Sequence, residues 1–135
     1  MIARTVTLLE NFSAKLGLSL PPETKDRSTA RLILTEKLSV QFEEDSAGEL
    51  LWLYVTLLPA ADIGSPHPIV EMLGLLFAHH RHSDARLVIN SSSGELLLVS
   101  RFIVSSLENE MTLVHALEGQ AREVIHIAQE LLKTT

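Results

Sequence analysis

The segment Leu50 to Leu58 reads Leu-Leu-Trp-Leu-Tyr-Val-Thr-Leu-Leu and limits the possible folds more than any other stretch of the chain. Its aromatic, β-branched and aliphatic content is that of a strand. Strand side chains alternate between two faces, so Leu51, Leu53, Val55 and Leu57 share one face and Leu50, Trp52, Tyr54 and Thr56 the other. A strand with one solvated face alternates apolar with polar residues. Here both faces are apolar, so two faces imply two partners.

The flanking sequence supplies further strands and three helices. From Ala3 to Leu16, Val6, Leu9, Phe12 or Ser13, and Leu16 recur at steps of three and four. Leu8 widens that stripe, and Gly17 stands where a left-handed cap closes a helix. Leu18 to Ser28, with Pro21-Pro22 followed by charged residues, reads as a solvated connection. Arg31 to Thr35 is a short apolar strand, Glu36-Lys37 a turn, and Leu38 to Glu44 a strand with Leu38, Val40 and Phe42 on one face. Asp45-Ser-Ala-Gly48 turns the chain into Leu50. Ser65-Pro66 starts a helix running to about His79, where Ile69, Val70, Met72, Leu73, Leu75, Leu76 and Phe77 cover nearly the whole circumference. Ala85 to Asn90 and Glu95 to Ile103 form a hairpin across Ser91-Ser-Ser-Gly94. A last helix, from about Glu108 to Leu132, carries Val114, Leu117, Ala121, Val124, Ala128 and Leu131 at helical spacing. The order α-β-β-β-α-β-β-α specifies an α+β fold, with helices packed on a twisted antiparallel sheet in a single domain spanning residues 1–135.

Charge and composition exclude several function classes. A formal charge of −6 without any Lys/Arg cluster opposes nucleic-acid binding, which rests on basic side chains. The chain has no cysteine, which removes disulfides and thiolate metal sites and makes the cytoplasm the expected compartment. Glu10 and Asn11 interrupt the N-terminal region before it reaches signal-peptide length. The most apolar stretch, Leu50 to Ile63, contains Thr56, Pro59 and Asp62 and falls short of the roughly 20 residues a membrane span needs. A soluble protein without a membrane partner is expected. Its hydrophobic residues nonetheless reach 46%, an apolar excess that needs cover from something.

Catalytic and cofactor motifs are missing from the sequence. The glycines are scattered and match neither dinucleotide nor mononucleotide loops. His67, His79, His80 and His82 cluster, but His79 and His80 point about 100° apart on a helix and lack His-x-x-x-His spacing. A surface or helix-capping role is the expectation for them, with no metal and no cofactor. His115 and His126 sit between core-facing positions of the last helix. Glu43-Glu44-Asp45 is a solvated run before a turn, and no Gly-x-Ser-x-Gly elbow occurs. The expectation is a protein that is not an enzyme.

The element order, size, acidity and the segment Leu38-Ser-Val-Gln-Phe-Glu-Glu-Asp through Leu50-Leu-Trp-Leu-Tyr-Val-Thr-Leu-Leu-Pro resemble the class I type III secretion chaperones, the Tir-chaperone or CesT-like family. The likeness spans nearly the whole chain and leans toward effector chaperones of plant-pathogenic bacteria. The resemblance implies a cytoplasmic homodimer that holds the N-terminal region of one cognate type III effector in extended form, without nucleotide. On that footing the dimer contacts are expected at Ile69, Val70, Leu73, Leu76 and Phe77. Client pockets are expected between the first helix and the sheet, at Leu8, Phe12, Leu34, Phe42 and Trp52. Two alternatives stay open: a small ligand-binding or hydrolytic α+β domain, which would need a pocket with converging polar groups, and a family variant that regulates transcription by titrating a protein partner.

Overall fold

The computed structural model describes residues 1–35, 38–58, 67–104 and 107–133. Helix α1 (Ala3–Lys15) is followed by strands β1 (Thr29–Ile33), β2 (Ser39–Glu44) and β3 (Leu50–Leu58), helix α2 (His67–His80), strands β4 (Arg86–Ile89) and β5 (Leu96–Ile103), and helix α3 (Glu110–Leu132). The element order is the one the sequence specifies. The Glu36-Lys37 turn and the Ser65-Pro66 helix start lie outside the described residues.

The strands pair antiparallel in the order β1-β2-β3-β5-β4, which puts β3 in the middle. A strand apolar on both faces gains most there, because its backbone is paired on both edges and its side chains have neighbours on both sides. Register brings Phe42 opposite Leu53, Leu51 opposite Phe102, and Val55 opposite Leu98, all on one face. The helices pack on that face. Phe12 of α1 meets Phe42 edge-to-face, with ring centroids 5.6 Å apart and an interplanar angle of 73°. From α3 come Leu117, Val124, Ile127 and Leu131, and from α2 come Met72 and Leu76, all buried in the same core.

Local chemistry fixes the element ends. Gly17 takes φ +71°, and beyond it the Leu18 N–H donates to the Ser13 carbonyl at 2.9 Å, which closes α1. Asp45 Oδ1 accepts from the N–H groups of Glu49 (2.9 Å) and Leu50 (3.1 Å), which holds the β2–β3 turn. Helix α3 begins at Glu110 because the Asn109 side chain caps it, accepting from the Thr112 N–H at 2.8 Å. The stretch read as a simple solvated connection contains a short 3-10 helix, Pro22–Asp26, with Thr24 buried beneath it. Proline at its start is pre-set for that turn.

The core places Phe42 and Leu53 under full burial at the centre of the helix-covered face. Phe42→Ala is expected to cost about 3–5 kcal/mol in denaturant unfolding, whereas Ile33→Ala, at an exposed edge-strand position, is expected to stay within about 0.5 kcal/mol of wild type. Equal costs at the two positions would contradict this assignment of faces.

Candidate partner-binding surfaces

The second face of the sheet carries Ile33 from β1, Leu50, Trp52 and Tyr54 from β3, Val88 from β4, and Val99 and Ile103 from β5. The register sets this face: Leu50 pairs with Ile103, Trp52 with Arg101, Tyr54 with Val99, and Arg86 of β4 with Val99. Trp52 and Tyr54 are partly exposed, Ile33 and Val88 exposed, and Ile103 is 67% exposed. The apolar side chains adjoin one another across β3, β5 and β4, while β2 puts polar Ser39, Gln41 and Glu43 between them and Ile33; exposed apolar area of this kind marks a binding surface more often than a monomer's finished exterior. Burial, and then the Glu43 and Glu95 carboxylates, hold the Tyr54 phenol above its ordinary pKa. Both carboxylates disfavour a phenolate anion beside them.

A separate apolar strip lies on α2. Val70, Leu73 and Phe77, at helical spacing, are 61%, 49% and 70% exposed, while Met72 and Leu76 on the opposite side are buried. The C-terminal end of α2 is tied to α3 by a polar cluster. Nε2 of His80 lies 2.5 Å from Glu130 Oε2, and Nε2 of His126 lies 3.3 Å from Glu130 Oε1. The His80 and His126 rings meet nearly perpendicular, with centroids 6.3 Å apart. The hydrogen bond from His80 holds the Glu130 carboxyl below the usual carboxylate range. Imidazoles at the end of a helix also favour its dipole. Among the described residues, no group of three or more His, Cys, Asp or Glu is arranged to hold a metal ion.

The expected site residues divide between surface and core. Leu8, Phe12 and Phe42, expected in client pockets, are core residues at 0–1% exposure. The space between α1 and the sheet is therefore filled, because α1 has the sheet beneath it and α3 beside it and both flanks of its stripe are used. Leu34 packs partly buried against the core margin. Trp52 is the one expected client contact on the uncovered face. Of the expected dimer contacts, Val70, Leu73 and Phe77 are exposed, Ile69 packs partly buried against the core, and Leu76 belongs to the core. The sequence reading missed Ile33, Val88 and Ile103, although alternation within their strands assigns them to the face opposite Leu32, Leu87 and Phe102.

Cavities on the surface are shallow and mixed. A polar one of about 250 Å³ is lined by His82, Ser83, Asp84, Ser100, Gln120, Glu123 and Val124. There the Ser100 hydroxyl accepts from Gln120 Nε2 at 2.9 Å and is held by that amide, not by a histidine. A base–nucleophile contact of the kind hydrolysis requires is not formed at Ser100 among the described residues. No helix among the described residues is long and apolar enough to cross a membrane.

Three solved structures share this architecture at low sequence identity. One is a chain of the HopA1–SchA chaperone–effector complex, with a TM-score of 0.68 and 21% identity over 96% of this chain and 94% of that one. A chain of the ExsC–ExsE complex superposes with a TM-score of 0.69 and 18% identity, covering 98% and 96%. Both chains share the fold described above. The heterodimeric ExoU–SpcU complex from the type III secretion system of Pseudomonas aeruginosa adds a third match, with a TM-score of 0.53 and 20% identity over 93% of this chain and 98% of that one. Neither a family model nor a curated protein sequence matches the chain. The same fold thus occurs here on a sequence no more than 21% identical to those chains.

Tyr54 is the only tyrosine in the chain, so an absorbance titration reads its phenol alone. Its midpoint is expected above the free-phenol value of about 10, and Glu43→Gln is expected to lower it. A midpoint at the free value, unmoved by Glu43→Gln, would contradict the partly buried placement beside carboxylates.

Proposed function

We propose that the chain is a cytoplasmic bacterial chaperone that binds a type III effector through the uncovered sheet face and keeps the bound segment extended for export. The observation that carries this reading is the uncovered apolar face itself. It is built on a fold shared with a chain of the HopA1–SchA chaperone–effector complex and a chain of the ExoU–SpcU heterodimer from a type III secretion system. An extended segment repeats its side chains about every 6.6–6.8 Å on one side, the same interval at which a strand presents its own. Rows of exposed and partly exposed apolar side chains on β3 and β5 therefore suit an extended client better than a folded one. The function is binding and not catalysis, and it needs neither metal nor nucleotide.

The α2 strip supplies the second half of the proposal. Val70, Leu73 and Phe77 form an exposed apolar ridge, which suits an isologous contact between two copies of the chain. The ridge and the sheet face belong to different elements, so dimer formation and client binding can be separated by mutation.

A dimer of about twice 14.9 kDa is expected by sedimentation, with Phe77→Asp shifting it to monomer while leaving the melting temperature of the fold close to wild type. A wild type that stays monomeric at micromolar concentration overturns the dimer reading. Trp52 is the only tryptophan. Its emission is expected to shift to shorter wavelength on addition of the N-terminal segment of a co-purifying effector, because burial removes water from the indole. Unchanged emission under saturating effector would remove the sheet face as the binding site.

A further inference from the structure

Arg101 is the cation within the outward row of β5, and Arg86 and Arg31 share this face from the two edge strands. Same-face positions along β5 read Leu97, Val99, Arg101 and Ile103, and Arg101 pairs across the sheet with Trp52. A cavity of about 310 Å³ opens here between β3, β4 and β5, with Trp52, Val88 and Val99 as its apolar walls and Arg86, Arg101 and Asp84 around them. The two arginines differ. Arg86 Nη1 is committed to backbone, donating to the carbonyls of Ser83 (2.8 Å) and Ala85 (3.0 Å). Arg101 is exposed, and among the described residues no carboxylate lies within ion-pair distance of its guanidinium. Glu43 stands on the far side of Trp52, since it pairs with that residue from β2. That separation is two strand spacings, about 10 Å. An exposed guanidinium beside an indole keeps its forked donors available for a carboxylate, the planar partner whose geometry it matches.

We infer that Arg101 is the specificity contact of this face, taking a carboxylate side chain on an extended client segment whose alternate residues are otherwise apolar. The inference rests on the proposed use of the sheet face and adds the client's chemistry to it. Apolar client side chains lie on Val99 and Ile103 at two-residue intervals, and the acidic one falls between them over Arg101. Glu43 on the β2 side of Trp52 and Asp84 at the edge of the cavity both repel a carboxylate, so these charges together with Arg101 select where across the sheet the segment lies.

The test uses synthetic peptides that alternate leucine with serine and carry glutamate, glutamine or lysine at one central position of the leucine set. Binding to the full chain is read by fluorescence anisotropy at low salt. Wild type is expected to prefer glutamate over glutamine over lysine, with a glutamate-to-lysine ratio on the order of tenfold, the scale of one charge-assisted hydrogen bond. Arg101→Gln is expected to flatten the order and Arg101→Glu to invert it. Arg101 is exposed and outside the core, and circular dichroism of each variant checks that the fold is kept. A preference that survives Arg101→Glu, or a wild type that binds all three peptides equally, overturns the inference while leaving the sheet-face reading in place. Failure of all three peptides to bind wild type counts against both.

Discussion

The central strand governs the whole molecule. β3 is apolar on two faces, and three helices cover only one of them. The covered face joins Phe42, Leu53 and Leu98 to α1 and α3 in one core, with α2 adding Met72 and Leu76 at the side. The other face keeps Trp52 and Tyr54 at the surface beside Val99 and Ile103. Burying an apolar side chain of this size stabilises by about 1.5–3 kcal/mol, so leaving several of them open withholds stability from the monomer that a partner can recover on binding. The apolar excess in the composition is this same unburied area seen without coordinates.

Economy of cover explains which surfaces remain. α1 lies in the angle between the sheet and α3, so its stripe is used on two sides and Leu8, Leu9 and Phe12 are buried. α2 packs against α3 through one side only, and the polar cluster of His80, Glu130 and His126 fixes its far end. The rest of its circumference stays open as the ridge of Val70, Leu73 and Phe77. A helix apolar all round is normally enclosed by its own chain. Here Val70, Leu73 and Phe77 are left exposed instead.

The fold was largely legible in the sequence, because period-two and period-3.6 patterns depend only on which side of an element is buried. Leu51, Leu53 and Val55 against Trp52 and Tyr54 were separated correctly on that basis. The patterns say nothing about which apolar side a neighbour takes. Phe12 and Phe42 therefore looked available for a client until the 5.6 Å ring contact between them placed both in the core. Leu76 and Phe77 are adjacent in sequence, yet one is core and the other 70% exposed, a distinction set by the position of α3. Ile33 and Val88 were passed over because each is a single apolar residue on a strand's outer side, and Ile103 because it stands beyond Arg101 at the end of its strand's outward row. Only strand order places them on one surface. Pairing of His80 with Glu130, fifty residues apart, likewise has no local signature.

The chain lacks cysteine, so single cysteines introduced on each face can be footprinted without background. Alkylation rates at Val88→Cys and Ile103→Cys on the uncovered face, and at Thr7→Cys and Arg122→Cys on the helical side, should be measured with and without the N-terminal segment of a co-purifying effector. The account predicts strong slowing at the first pair and unchanged rates at the second. Slowing confined to the helical side, with Val88→Cys and Ile103→Cys still reacting freely, would contradict it.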